Sequence, residues 1–298
     1  MTKAKFASLL VSLILAVFTT VPARGDDAVS HAYVVLVGIS QYNDKQIKPR
    51  PHAEDDAKAL YDLFVNKDYL GVRPANMQLL LGNADAGRKS EPATHANIIK
   101  ALHTVASKAD RDDLVIFAFI GQGGPINDKG NRLCYFATDT TLKDRSKNAV
   151  AAADIQQELD KLKSHRFCAF LDVNFHGYAD GPEKLPEPVF GSGAYREFLG
   201  SDAKADPETS KEEQATAPGR VLFLASSGLR PSLDLEKHGV FAAVLLRGLK
   251  GGADKDGFEP DGAVTVDELG EYLEKELPDT VRKHAKTDEE KKQQARLP

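Results

Sequence analysis

Apolar residues in this chain fall into two patterns: continuous runs of five to eight, and stretches in which they recur every three or four positions. The first pattern is that of strands buried on both faces, the second that of amphipathic helices. Tyr33 to Val37 form the first run, closed by Gly38 and Ser40. Residues 53–64 then set Ala57, Leu60 and Phe64 on one helical face, with Glu54, Asp55 and Asp56 in the first turn, where carboxylates suit the positive end of the helix dipole. Gly71 and Pro74 break the chain before a short strand at 77–81, and Thr94 is placed to cap a helix over 95–105 that buries Ile98, Leu102 and Val105. A second long run, 113–120, ends at the glycine-flanked Gln122, which reads as a turn. A tight turn at 128–131, a strand at 132–137 and a helix at 153–162 follow, the helix burying Ile155, Leu159 and Leu162. A third run, 167–173, stops at Asn174, His176 and Gly177. After an irregular stretch come a strand at 220–227, a helix at 238–251 stopped by glycine, and a helix at 266–273 with Thr265 at its start. Alternation of this kind predicts an α/β fold with a mostly parallel sheet covered by helices on both faces.

Open sheets of that type place ligands where strands end at their carboxyl side. The runs ending at Gln122 and Asn174 both stop in polar, glycine-bearing sequence, so both strand ends point at one candidate site. These two stretches resemble the active-site motifs of the caspase and metacaspase cysteine peptidases. In that family one strand ends in Ser-Gly-His-Gly and another in Asp-x-Cys-x-x-Gly. The matching positions here read Ile120-Gly121-Gln122-Gly123 and Asp172-Val173-Asn174-Phe175-His176-Gly177. Further likenesses are the Gly38-Ile39-x-x-Tyr42 strand end, the Asp56-Ala57 helix start, the Thr138-Asp139-Thr140 stretch and the Ala225-Ser226 strand with its following helix. The resemblance runs from about Tyr33 to Leu273 and implies a caspase-like three-layer α/β/α sandwich.

It also implies that the catalytic His and Cys positions hold Gln122 and Asn174. A carboxamide nitrogen has a delocalised lone pair and is no nucleophile, and a glutamine side chain cannot change protonation state. Loss of either partner of such a dyad costs orders of magnitude in rate. The resemblance implies a residual binding site as well. In the metacaspase branch, aspartates matching Asp172 and Asp56 line the pocket for Arg or Lys, and the backbone N–H groups of Gly123 and Asn174 match oxyanion donors. Asp172 reads equally as a strand-end cap. Ile120 replaces the family's serine and removes a polar wall. His176, beside the lost dyad, and His52, ahead of the first helix, read as turn histidines.

Composition narrows the field further. A formal net charge of -5 with acids and bases interspersed argues against a nucleic-acid binder. The chain's only cysteines, Cys134 and Cys168, sit within strand-like runs and read as core thiols, although an exported pair could form one bridge. With scattered histidines they offer no metal-ligand spacing, and no cofactor is expected. Lys3 and Lys5, an apolar stretch at 6–21 and Ala23-Arg24-Gly25 have the order of a secretory signal peptide over residues 1–25, so a secreted or periplasmic protein is expected, membrane-bound only if the segment is uncleaved. Residues 178–219 are rich in Pro, Gly, Ser and charge and read as a flexible linker loop. That loop separates a large-subunit-like region, 30–177, from a small-subunit-like region, 220–280, and residues 281–298 read as a charged tail. Residues 257–268 partly fit a calcium loop, but Gly257 at the first ligand position makes a simple turn the better reading.

The expectation is therefore a caspase-like pseudopeptidase that binds basic peptide segments or a caspase-like paralogue. The alternatives are an active endopeptidase cleaving after Arg or Lys, or a hydrolase using Ser192 or Ser226, for which no nucleophile-elbow motif is present.

Overall fold

Six strands run parallel in the order β3 (Glu91–Pro92), β2 (Met77–Leu81), β1 (Ala32–Gly38), β4 (Leu114–Pro125), β7 (Arg166–Asn174) and β8 (Gly219–Leu224). The computed structural model describes residues 31–191, 194–199, 219–226, 228–229, 232–255 and 260–287. The far end of β4 carries a small antiparallel extension, β5 (Leu133–Tyr135) and β6 (Val150–Ala151).

Strand periodicity divides the core into two layers. On β4, Ile116, Ala118 and Ile120 face one side, packed against α1 (Ala53–Val65), α6 (Val240–Arg247) and α8 (Val266–His284). Val115, Phe117 and Phe119 face the other, against α2 (His95–Lys108), α4 (Ala152–Leu159) and the short α5 (Arg196–Leu199). Two further short helical pieces, α3 (Arg145–Asn148) and α7 (Ala253–Lys255), complete the described helices. The arrangement is the three-layer sandwich expected from the sequence. Gly38 permits a close approach of α1 to β1, because a Cβ there would lie 2.5 Å from the Ala53 carbonyl oxygen and 2.6 Å from the Ala57 Cβ. Thr94 caps α2 by accepting from the Asn97 N–H.

Several sequence readings are corrected. The glycine-flanked Gln122 is not in a turn: β4 continues to Pro125 and pairs with β5. Glycine is what lets it continue, since a Cβ on Gly123 would come within 2.7 Å of the Phe175 ring and one on Gly124 within 2.6 Å of the Phe136 ring. The expected helix at 238–251 is α6 followed by a wider turn, Gly248–Gly252, in which Gly251 has φ +91°. The final helix runs well past 273, to His284, and buries Leu277 and Val281, so the charged tail begins later than 281. Charge on its outer face hides this amphipathic pattern. The 178–219 stretch is not featureless: α5 lies within it, and Phe198 is fully buried against Phe117. The expected signal segment, Ser192 and Gly257 lie outside the described residues.

Both cysteines are free and buried. Cys168 points into the α1 layer and Cys134 into the α2 layer, so the sheet stands between them.

Candidate functional site

Parallel pairing of β4 with β7 sets Ile120 opposite Asp172 and Gln122 opposite Asn174. Residues paired in register, and those two apart on one strand, share a face. Gln122, Asp172 and Asn174 therefore stand on the face covered by α1 and α6, with Gln122 and Asn174 as the last pair of the parallel ladder.

Helix α1 supplies the next group. Its first turn carries Asp56, whose Oδ1 lies 2.7 Å from His238 Nδ1 and whose Oδ2 accepts the Gly239 N–H at 3.1 Å. Gly239 begins α6, and a Cβ there would lie 3.1 Å from Asp56 Oδ2 and 3.7 Å from Asp172 Oδ2. The two aspartates thus converge under one glycine, although they come from elements far apart in the chain.

A basic group from the chain itself sits against them. Arg50, in the loop before α1, places Nη2 2.6 Å from Asp172 Oδ1, with both side chains almost fully buried. The Ser232 hydroxyl also donates to Asp172 Oδ1. Burial works against the charge on Arg50, but Asp172, together with Asp234 and Tyr42, outweighs it and the guanidinium pKa is raised. Burial pushes the Asp56 carboxyl up to about 8; Asp172 adds to the shift, while the Gly239 N–H and Arg50 oppose it. Burial lowers His238. At neutral pH the proton between these two therefore rests on Asp56, and the pocket contains one compensated ion pair rather than two free carboxylates.

The two positions matched to the dyad are packed and hydrogen-bonded. Gln122 Nε2 donates to the Lys48 and Pro49 carbonyl oxygens, each at 3.2 Å, and its backbone N–H donates to the buried Tyr42 hydroxyl at 2.8 Å. Among the described residues, Gln122 Oε1 is buried without a partner, as is Asp172 Oδ2. Asn174 Oδ1 accepts the His176 N–H at 3.1 Å, closing a turn at the strand end. Gly177 closes over both: a Cβ there would lie 2.4 Å from Gln122 Cβ and 2.9 Å from the Asn174 carbonyl oxygen. Neither side chain can act as a thiolate or carry a proton between groups.

The remaining sequence candidates are scattered. Gly123 lies in the β4–β5 ladder opposite Tyr135. His176 Nδ1 meets the Leu229 carbonyl oxygen at 3.0 Å and Nε2 meets Glu187 at 2.8 Å, the bonding of a turn histidine. His52 is the left-handed residue preceding α1, with φ +66°. The Ser226 hydroxyl accepts the Gly228 N–H at 3.1 Å. Among the described residues, no group of three His, Cys, Asp or Glu is placed to hold a metal.

Sequence reasoning missed Arg50, Tyr42, Ser232 and His238 as parts of this site. Arg50 carries no local signal: Ile47-Lys48-Pro49-Arg50-Pro51 reads as an ordinary basic loop, and only the fold turns its side chain inward.

Comparison with known proteins agrees with this architecture. A caspase domain family model matches residues 31–294. The structure is similar to that of a Geobacter sulfurreducens protein, with TM-score 0.52 at 15% identity over 90% of this chain and 92% of the other. It is also similar to caspase-1 from Spodoptera frugiperda, with TM-score 0.49 at 12% identity over 90% and 86% of the two chains. Among curated protein sequences none matches. At 15% identity the likeness to the Geobacter sulfurreducens protein speaks for the fold alone, while the family match spans every described residue, including both strand ends of the site. On that match the chain belongs to the caspase-domain family.

Proposed function

We propose that the protein is a non-catalytic member of this family that works by binding polypeptide. The observation that carries the reading is the in-register pair of carboxamides, Gln122 and Asn174, at the strand ends where the family's dyad is matched. Acyl transfer by a cysteine peptidase needs a thiolate and a group that moves its proton. The chain has only two cysteines, both fully buried on opposite faces of the sheet, and burial pushes the Cys134 thiol up to about 12. Burial raises the Cys168 thiol as well. Neither supplies a thiolate at neutral pH: Cys134 lies beside the end of β4, but its buried thiol donates to the Gly124 carbonyl oxygen on the α2 side of the sheet, and Cys168 lies in the middle of β7.

The pocket of Asp56 and Asp172, which holds the Arg50 guanidinium within this chain, supports an Arg or Lys side chain as the group recognised, carried on a basic segment or on a caspase-like paralogue that presents one. The N-terminal pattern of basic, apolar and small residues supports an exported site of action, periplasmic or secreted.

Incubation of the purified protein with fluorogenic peptides ending in Arg or Lys tests the reading. No release above buffer is expected. Release that co-purifies with the protein and disappears in both Gln122→Ala and Asn174→Ala would refute it. A fluorophosphonate serine probe should leave the chain unlabelled; labelling would favour the serine-hydrolase alternative.

A further inference from the structure

On the α2 side of the sheet, across from the face that carries Gln122, Asp172 and Asn174, β5 and the first turn of α4 frame a cleft whose third wall is the 189–197 segment. It measures about 250 Å³, with Leu133, Tyr135, Ala153, Val189, Tyr195 and Glu197 among its walls. A volume below the roughly 300–1,000 Å³ of drug-sized sites suits a small molecule. Val189 is 50% exposed, one of two large apolar side chains so open to solvent among the described residues, so an apolar wall of the cleft is accessible from outside.

The inner end of the cleft is formed by Glu197 and Tyr135, both buried. The Tyr135 hydroxyl donates to Glu197 Oε1 at 2.7 Å, and among the described residues no Lys, Arg or His forms an ion pair with this carboxylate. Glu197 is only 6% exposed, and a carboxylate buried to that degree ordinarily has a cation against it. Burial raises its pKa, with the Tyr135 hydroxyl and the residue's own backbone N–H opposing. An ammonium group would bring both the compensating charge and three further donors. Two tyrosine rings in the walls also favour a cation over an anion. Arg132 lines the cleft as well, but it is exposed, where water and salt screen its charge.

We propose that this cleft is a second binding site, for a small organic amine whose ammonium pairs with Glu197 and whose apolar body lies against Leu133, Ala153 and Val189. The site stands independently of the reading of the strand ends, from which the sheet separates it.

Calorimetric titration of the full chain with 2-phenylethylamine tests the assignment, with 2-phenylethanol as a neutral ligand of nearly the same shape. One amine is expected to bind per chain, with the alcohol weaker by about tenfold or more, the worth of a charged hydrogen bond. No saturable binding of the amine, or equal binding of the two, would overturn the proposal. Glu197→Gln keeps the shape of the side chain and removes its charge. It should weaken the amine by about tenfold and leave the alcohol unchanged. Undiminished amine binding by this variant would place the amine elsewhere, at Asp56 and Asp172, and would sink the second site. If circular dichroism shows Glu197→Gln unfolded, Ala153→Phe serves instead, because it narrows the cleft from an exposed position on α4 without touching Glu197. A several-fold loss of amine affinity is expected there, and no loss counts against the proposal.

Discussion

Asp56 shows how strongly one environment reshapes a side chain. In sequence it is the third of three acids opening α1, where a carboxylate favours the helix dipole and ordinarily stays ionised. In the fold it is buried under α6, faces His238, and shares its pocket with Asp172, Arg50, Asp234 and His52. Its pKa rises from the ordinary 3.8 to about 8, so between those values the folded protein holds a proton that the unfolded chain releases. Because the native state binds more protons across that window, stability falls as pH rises through it. Asp56→Asn stays neutral throughout. Its melting temperature, followed from pH 4.5 to 8.5, is expected to decline less than the parent's; parallel curves would show that Asp56 does not hold its proton on folding. Gln122 and Asn174 are legible at this scale from residue type alone, because no environment gives a carboxamide a thiolate's reactivity. The state of Asp56 was not legible, since desolvation is a property of what packs around it.

At the scale of elements, the short-range patterns carry most of the information. Strand β2 spans the residues its apolar run marks, and α2 begins at the capping Thr94. Helix α8 begins at Thr265, whose hydroxyl accepts the Glu268 N–H while Glu268 Oε2 accepts the Thr265 N–H, a reciprocal capping box. Thr265→Ala is expected to cost about 1 kcal/mol, seen as a lower urea midpoint with unchanged slope. Leu269, Leu273, Leu277 and Val281 bury against α6, so fraying of the first turn would loosen the layer that closes over Asp56. Element ends were less legible. Strand β4 outruns its apolar residues because two glycines pass beneath aromatic rings, a packing relation invisible to periodicity. The end of α8 escaped notice because its apolar positions are diluted by Glu, Lys and Arg on the exposed face.

Across the whole molecule, the parallel sheet is a partition as well as a scaffold. It keeps Cys134 and Cys168 in separate layers, each fully buried. Neither should react with iodoacetamide under native conditions, and both should react in denaturant with no reductant added, as intact-mass measurement would register; a disulfide mass would contradict the separation. The sheet also assembles the site, since β4, β7, α1 and the residues before α6 contribute Gln122, Asp172 with Asn174, Asp56, and His238 with Gly239. By itself the sequence determined which segments become strands and helices, that both faces of the sheet are covered, and that carboxamides stand at the two strand ends, because these follow from side-chain periodicity and chemical identity. Only the tertiary structure decided that Arg50 fills the acidic pocket and that Asp56 keeps a proton there, because ion pairing and desolvation depend on distances between residues the chain order keeps far apart.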